Sequence, residues 1–417
     1  MSQKEIPFWV DRFRKEKGEP LSQRMDEMML YFLPFWRFTT QVFYSLFNQS
    51  SFVLFPENSE MEILTKDWDI NFSAHLSNDL GLATLGMRPD WLKLKLLTDM
   101  ALLKEGEVLS LELDSSSAKE RGSKSLHLYL DGKKSAEEQL VFKLLEESLS
   151  LIYFPLWVVN FIAGGEKHYQ IIDGITERTL KQSHGYFELK KNQNGKTEHL
   201  VPLKIIPHRC PNCGWDLPVD PFHLVFPCDN CQRIWKISGN GYESVKGQIA
   251  KVREDHMEED LSDCNYYPFW VFETRPKQET KFSIQSLVEL FPSEIGWFKV
   301  KDKSQPFLFY VPAFEIKNLN KIPTISLAFT RTQPELETQI WENEKLSGAI
   351  RSEEDAKKLA ELLWTVLFFS RANTESNDCP DLALENAKLV WCPYYEEGIF
   401  LRDAVVGFAF QTIKSSI

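Results

Sequence analysis

The sequence predicts an α+β fold dominated by β-structure, in which helix plus aromatic–proline strand or hairpin units repeat and one zinc ribbon is inserted. Three observations support this prediction. The 417 residues include 30 Phe, 12 Trp and 12 Tyr, and most of them must be buried because so much exposed aromatic surface would aggregate. A proline flanked by aromatic residues recurs along the chain, and two Cys-x2-Cys pairs lie close together in its central part.

The recurring aromatic–proline segments predict strands. Proline restrains φ and drives the preceding residue into an extended conformation, and the flanking aromatic residues favour strands. Since proline has no N–H to donate, each one is expected at a strand start or a sheet edge. Three tryptophans stand two residues after their prolines and are expected in equivalent, mainly buried environments: Trp36, Trp157 and Trp270. The prolines of these segments are Pro34, Pro155, Pro268, Pro312 and Pro393.

Helices are predicted before several of these strands. Ser135 and Glu138 form a capping-box pattern ahead of leucines that are spaced for one helix face. Ser352 and Asp355 open a second helix in the same way, and a shorter helix is predicted over 22–30.

Turn signals separate these elements. Gly164 and Gly165 predict the turn of a hairpin, and a second strand pair is expected over 390–411. The run of serines and glycine in 115–125 predicts a flexible loop, and the acidic run 253–263 predicts a solvated linker.

A chain of this length has room for two to three domains of roughly 100–200 residues each. We divide it into an N-terminal α+β region (1–134), a helix plus β-hairpin unit (135–204), the zinc ribbon (205–240) and a C-terminal α+β region (241–417).

Cys210, Cys213, Cys228 and Cys231 are predicted to bind one metal ion. Each Cys-x2-Cys pair lets one tight turn direct two thiolates at a single ion, and two such turns complete a tetrahedron. Four thiolates leave no open coordination position, so the expected cofactor is one structural Zn2+. Iron is the alternative, because Cys-Pro-Asn-Cys-Gly resembles a rubredoxin turn and tetrahedral sulfur suits both metals. Zinc is preferred because Gln232 follows the second pair, where a rubredoxin carries a second glycine.

The segment between the two cysteine pairs suits a short hairpin and is rich in apolar side chains. Such a hairpin needs an apolar surface to pack on, and its own chain is favoured over a partner. Residues 201–250 contain five basic and four acidic side chains, which is no phosphate-binding footprint. His208 and His223 flank the site as bystanders, because four cysteines already complete the coordination. The apolar residues are Trp215, Leu217, Val219, Phe222, Leu224, Val225 and Phe226.

Charge and cysteine usage narrow the class of protein. A net charge of −12 and a pI near 5.3 disfavour nucleic-acid binding, because phosphate backbones repel an acidic body. The N-terminus shows no signal-peptide pattern, and no stretch reaches the roughly 18–20 apolar residues that a membrane span needs. Metal-ligand spacing of the cysteines suits a reducing compartment, so a cytoplasmic location is expected.

No catalytic motif is found in the sequence. Gly-x-Ser-x-Gly, His-Glu-x-x-His, Walker A and dinucleotide-binding patterns are all missing. The eight histidines show no metal or catalytic spacing. Cys264, Cys379 and Cys392 are isolated and are expected to be inert thiols. We therefore predict that the protein is not an enzyme and has no catalytic residues.

The stretch Tyr153-Phe-Pro155-Leu-Trp157, followed by Tyr169-Gln-Ile-Ile172-Asp173-Gly174, is similar to poorly characterised bacterial zinc-ribbon proteins. In these proteins a Tyr-x-Pro-aromatic-Trp strand precedes a hairpin that ends in an Asn/Asp-Gly turn, in a chain with one transcription-factor-type ribbon. The resemblance covers the ribbon and the aromatic–proline hairpins but not 40–130. It implies no established activity, and such proteins are often regarded as adaptors in larger assemblies. This chain departs from the simpler members because it shows no transmembrane segment.

The function predicted from these observations is that of a non-catalytic intracellular adaptor or scaffold that binds protein partners and carries one structural zinc ribbon. One alternative is a nucleic-acid-associated zinc-ribbon factor, which rests on fold analogy. A second alternative is an enzyme with an unrecognised pocket among the aromatic residues.

Overall fold

The computed structural model confirms a β-dominated α+β protein. The part of the chain that it describes contains seventeen strands and three helices. The chain forms two compact units. Unit 1 contains 1–40, 68–129 and 147–204, and unit 2 contains 41–67, 130–146 and 205–417. The four-segment division stays a prediction. The residues described are 23–48, 63–75, 94, 106–136, 138–187, 206–239, 241–251, 264–276, 307–316, 318–334, 336, 338–339, 341–342, 344–371, 379, 381–398 and 400–411.

The N-terminal sheet has the strand order β2-β1-β4-β5-β6, and β3 pairs in parallel with β1. Aromatic and aliphatic side chains such as Phe35, Phe154 and Ile171 are buried on it. Its elements, with the helix α1, are β1 (Gln23–Asn48), β2 (Leu64–Ser73), β3 (Glu107–Val108), α1 (Ser115–Asp131), β4 (Glu138–Ala163), β5 (Glu166–Asp173) and β6 (Thr179–His184).

The C-terminal sheet has the strand order β12-β11-β15-β10-β13, with β14 beside β11 and the strands β16 and β17 continuing from β15. Its core includes Phe269, Tyr310 and Trp391, all buried. The elements are β10 (Gly247–Ala250), β11 (Asn265–Pro276), β12 (Phe307–Pro312), α2 (Lys321–Thr332), β13 (Thr338–Gln339), β14 (Lys345–Leu346), α3 (Glu353–Arg371), β15 (Leu382–Glu397), β16 (Phe400–Asp403) and β17 (Ala409–Gln411).

A separate three-stranded sheet, in the order β7-β8-β9, forms the ribbon. Its strands are β7 (Val225–Cys228), β8 (Arg233–Ser238) and β9 (Gly241–Val245). Strand β10 begins two residues after β9 ends and pairs in parallel with β15. The chain that leaves the ribbon therefore enters the C-terminal sheet of unit 2.

Two predicted helices are strands. The predicted helix after Ser135 is wrong, because β4 runs without interruption from Glu138, and the predicted helix over 22–30 is wrong because β1 begins at Gln23. The capping contact itself exists, since the Glu138 carboxylate accepts the Ser135 N–H at 2.8 Å, but it closes a turn that leads into β4. Helix propensity is a weak preference that strand pairing overrides.

The predicted loop over 115–125 is also wrong, because it forms the helix α1. Asp114 caps this helix by accepting the Ser117 N–H at 2.8 Å. The small residues that suggested a loop serve packing instead. A Cβ at Gly122 would lie 2.5 Å from the ring of Phe38.

Other local predictions are confirmed. Helix α3 follows Ser352, whose hydroxyl accepts the Asp355 N–H at 3.1 Å. Gly164 and Gly165 form the turn between β4 and β5, and β15 to β17 form the C-terminal strand pairs. The acidic run 253–263 lies outside the described residues.

The aromatic–prolines do not sit where they were predicted. Pro34, Pro155 and Pro393 lie inside long strands, Pro268 lies between two paired strands, and Pro312 ends β12. In four cases the proline carbonyl accepts a 2.9 Å hydrogen bond from the residue that directly follows the neighbouring hairpin strand. Each of these prolines therefore stands where the ladder of a hairpin ends. The donor–acceptor pairs are Ala74–Pro34, Gly174–Pro155, Ala313–Pro268 and Ala404–Pro393.

This position explains why the missing N–H is tolerated. In a hydrogen-bonded pair of an antiparallel ladder, the two opposite residues each donate an N–H to the carbonyl of the other. Pro268 receives the Ala313 N–H but cannot return one, and the Ala313 carbonyl accepts the Ile350 N–H at 2.7 Å instead. In unit 1 the Ala74 carbonyl likewise accepts the Glu112 N–H at 2.9 Å. No buried carbonyl at these two positions is left without a donor.

The three tryptophans that follow the prolines are buried, as predicted. Trp36 and Trp270 have equivalent partners. The indole N–H of Trp36 donates to the Leu113 carbonyl at 2.7 Å, and that of Trp270 donates to the Arg351 carbonyl at 2.9 Å. Each acceptor stands two residues before a helix. Trp157 differs, because it packs in a separate apolar cluster with Phe161 and Ile172.

Candidate metal centre

The four predicted ligands come from two matching turns. The first turn carries Cys210 and Cys213, and the second joins β7 to β8 and carries Cys228 and Cys231. In each turn the residue after the second cysteine donates its N–H to the carbonyl of the first, at 2.9 Å and 2.8 Å. The predicted hairpin between the pairs is wrong, because the hairpin β7–β8 holds the second pair in its own turn.

The residue after each cysteine pair has a left-handed backbone. Gly214 has φ +75° after the first pair, and Gln232 has φ +56° after the second. Glycine takes this conformation without steric strain, whereas an L-residue takes it at a cost. The Gln232 side chain donates a hydrogen bond to the Glu342 carbonyl at 2.6 Å, which helps to hold this turn.

The four sulfur atoms lie close enough for one ion. Cys210 Sγ is 3.5 Å from Cys231 Sγ, Cys213 Sγ is 3.6 Å from Cys228 Sγ, and all four lie within 4.8 Å of one another. A tetrahedral ion with metal–sulfur bonds of about 2.3 Å separates its sulfurs by about 3.8 Å. The four thiols thus fit a single structural metal ion.

The surroundings of the four thiols differ. Cys210 and Cys228 are buried, and Cys213 is exposed. The Trp235 indole N–H points at Cys210 Sγ from 3.1 Å, a contact that supports negative charge on this sulfur. Phe226 and Leu217 complete a small apolar core around the buried side of the site.

Three of the four thiols have shifted pKa values when no metal is bound. A hydrogen bond with the Asn230 side chain lowers the pKa of Cys213 to about 6. Burial raises the pKa of Cys228 to about 12 and also raises the pKa of Cys231. Because a metal binds the thiolate form, loading this site releases protons.

The two flanking histidines lie outside the ligand set. His208 uses both ring nitrogens elsewhere, with Nδ1 2.6 Å from the Tyr242 hydroxyl and Nε2 2.8 Å from the Pro218 carbonyl. His223 Nε2 lies 3.6 Å from the Asp220 carboxylate. Neither histidine belongs to the cysteine cluster.

The apolar segment after the first cysteine pair is only partly covered. Leu217, Val225 and Phe226 are buried, as expected for packing on the protein's own chain. For the remaining residues that expectation is wrong. We define the ribbon surface as the exposed side chains Trp215, Val219, Phe222 and Leu224, the first three of which are 61%, 89% and 68% exposed.

The isolated cysteines are buried or partly buried. Cys264 and Cys392 are buried. Burial raises the pKa of Cys392 strongly and raises the pKa of Cys379 to about 12. Cys379 and Cys392 are therefore poor nucleophiles at neutral pH.

One cluster was missed in the sequence. Glu166, His168 and His184 place one ligand atom each within 4.8 Å of the others. His168 and His184 are sixteen residues apart and face each other only because β5 pairs with β6. The spacing of Glu166 and His168, directly after the predicted Gly-Gly turn, was a visible signal, but His184 could not be placed without the register.

Within the described residues, no helix combines the length and the apolar character needed to cross a membrane. Comparison of the chain with protein-family models, with curated proteins and with solved structures finds no match.

Proposed function

We propose that this chain is a non-catalytic intracellular adaptor or scaffold that acts in the cytoplasm and binds another protein through the ribbon surface. The observation that carries the proposal is the exposure of Trp215, Val219 and Phe222 within eight residues of a rigidly held ribbon. Monomeric proteins rarely expose large apolar side chains together, and such patches mark interaction sites. Aromatic anchors are the side chains that contribute most to protein interfaces.

The cysteine site supports a structural role. Four thiolates complete a tetrahedral shell and leave no position for a substrate or a water molecule. We assign Zn2+ rather than iron, because closed four-cysteine ribbons suit zinc and the second turn carries Gln232 where a rubredoxin carries glycine. The ion then joins the two cysteine turns and holds the ribbon surface in place.

Fixed contacts on both sides support a preorganised binding segment. Cys210 donates its N–H to the Trp215 carbonyl at 2.7 Å, and His208 contacts the Pro218 carbonyl. At the other end Leu224 donates its N–H to the Ala349 carbonyl at 2.7 Å. A segment held in this way loses little conformational entropy when a partner binds.

We propose that the chain contains two related repeats, one within 23–187 and the other within 264–411. The ribbon is inserted between them in the sequence. Matching hydrogen bonds support it: the proline carbonyls, the Trp36 and Trp270 indoles, and the capped helices α1 and α3 recur in the same order. Parallel pairing recurs as well, with Tyr31 opposite Glu107 and Asn265 opposite Lys345. This arrangement agrees with the resemblance to bacterial zinc-ribbon proteins that carry aromatic–proline strands.

The nucleic-acid alternative is less well supported. Exposed aromatic side chains stack on bases, but a binding groove for nucleic acid also needs positive charge. Arg209, the basic residue nearest the ribbon surface in sequence, lies 3.1 Å from the Asp216 carboxylate, and Asp220 adds a further negative charge. The enzyme alternative has no observation that favours it.

The test is a comparison of full-length baits in extracts of the cells that express the protein. The double variant Trp215→Ala/Phe222→Ala should lose the protein that the wild type captures, and Phe400→Ala, which removes an exposed aromatic outside the ribbon, should keep it. The captured protein is then purified and its affinity for all three baits is measured. An unchanged capture pattern would reject the ribbon surface. Capture that depends on nucleic acid and weakens steeply with salt would favour the nucleic-acid alternative.

A further inference from the structure

We infer that the chain carries a second metal site, on the sheet formed by β4, β5 and β6, in which Glu166, His168 and His184 bind one divalent transition-metal ion. This site is separate from the cysteine ribbon and does not depend on the proposed adaptor function.

Strand geometry brings the three side chains to one face. His168 stands directly opposite His184 in the antiparallel pair β5–β6, and their ring centroids are 4.5 Å apart. Glu166 precedes His168 by two residues on β5, so both side chains project from the same face. The Glu166 carboxylate lies 3.7 Å from Nδ1 of His184. Side chains of directly opposite residues on two strands are near enough to bind the same metal ion.

The distances suit a metal after small side-chain rotations. Ligand nitrogen and oxygen atoms stand about 2.0–2.2 Å from a bound transition metal. Pairs of donors are therefore about 3–4 Å apart, and the three atoms here lie within 4.8 Å of one another. The side chains of His184 and Glu166 are 79% and 75% exposed, which leaves them free to close on an ion.

One ligand is already oriented. The Phe161 ring, across the β4–β5 pair, stacks on His168 with centroids 5.6 Å apart and an interplanar angle of 13°. The described lysines of this hairpin contact aromatic rings. Lys167 lies over Tyr186, and Lys181 lies over Tyr169, the residue next to His168.

The donor set defines the class of ion. Imidazole suits Zn2+, Ni2+ and Cu2+, whereas Mg2+ and Ca2+ require oxygen ligands. Two histidines and one carboxylate supply three ligands and leave open coordination positions, unlike the closed cysteine site. Those open positions would accept water or a donor atom from another molecule.

The experiment is a calorimetric titration of the untagged full-length protein, isolated with the metal in its cysteine site, using Ni2+ alone as the probe. The wild type should take up one equivalent of Ni2+. His184→Gln and Glu166→Gln should each weaken this binding by at least about tenfold, the smallest loss usual even for residues that only support a ligand. His127→Gln, at an exposed position on α1, should bind Ni2+ like the wild type.

Elemental analysis should find the metal of the cysteine site unchanged in all four proteins, and their circular dichroism should agree. Three results would overturn the inference: a wild type that binds no Ni2+, a His184→Gln variant that binds as tightly as the wild type, or an equal loss in the His127→Gln control. Since both substituted side chains are exposed, misfolding is not expected to confuse the comparison.

Discussion

Replacing Gly214 with alanine should weaken metal binding through the backbone alone. Gly214 has φ +75° directly after the first cysteine pair, and a Cβ built there meets nothing within 4 Å. The substitution therefore adds no clash, and its effect is the strain of an L-residue in a left-handed conformation, about 1–2 kcal/mol. Because folding of the ribbon is coupled to metal binding, this free energy appears in the dissociation constant as a loss of about 5–30-fold.

The assay is a competition titration in which a chelator removes Zn2+ from the full-length protein after it has been loaded with Zn2+. Gly239→Ala is the matched control, because Gly239 also lies in the ribbon with nothing within 4 Å, but its φ is not in the left-handed range. If Gly214→Ala holds zinc within about twofold of the control, the strain argument is refuted, since that difference is no larger than an ordinary surface substitution gives.

The second turn offers the reverse change. Gln232→Gly relieves the left-handed strain at φ +56°, about 1–2 kcal/mol. It also removes the side-chain hydrogen bond to the Glu342 carbonyl, which is worth about 0.5–1.5 kcal/mol. The two effects should nearly cancel, so zinc affinity should stay close to that of the wild type.

Three further outcomes are expected. Cys228→Ser should lower the metal content well below one ion per chain in elemental analysis, because structural zinc supplies on the order of 10–16 kcal/mol to isolated fingers; retention of the metal with unchanged affinity would contradict the four-cysteine site. Trp270→Phe and Trp36→Phe should each reduce the free energy of unfolding by about 1–3 kcal/mol in chemical denaturation, because each leaves a carbonyl without its donor. A clear loss in only one variant would contradict their equivalence. Burial raises the pKa of Tyr266 from 10.0 to about 12, so its contribution to stability is complete below pH 10 and is lost as the pH rises towards 12. Tyr266→Phe should therefore show a smaller alkaline loss in denaturation curves, and identical curves would refute the shift.

Local signals were sufficient for several parts of the molecule. The spacing of four cysteines identified a cluster that folds into one ion-sized site, because each pair needs only its own tight turn. The helix after Ser352 and the turn at Gly164 and Gly165 were predicted for the same reason. A side-chain cap or a glycine pair acts within a few residues and does not depend on distant strands.

The remaining features were decided by tertiary structure. Residues after Glu138 form a strand although their leucines suit a helix, since long-range pairing in the sheet outweighs local propensity. The small residues around Gly122 suggested a loop from the sequence, but in the structure Gly122 packs closely against Phe38 in a helix. Pro34, Pro155, Pro268 and Pro393 are accepted inside strands because each stands where the ladder of the neighbouring hairpin ends.

The sequence by itself thus determined the β-dominated class and the cluster of four cysteines that fits one metal ion, because composition and short-range spacing are sufficient for both. Tertiary structure alone decided that Trp215 and Phe222 are exposed and that His168 faces His184. Exposure depends on what the rest of the chain covers, and cross-strand neighbours depend on a register that a shift of one residue would reverse. Neither quantity is encoded in any short stretch of sequence.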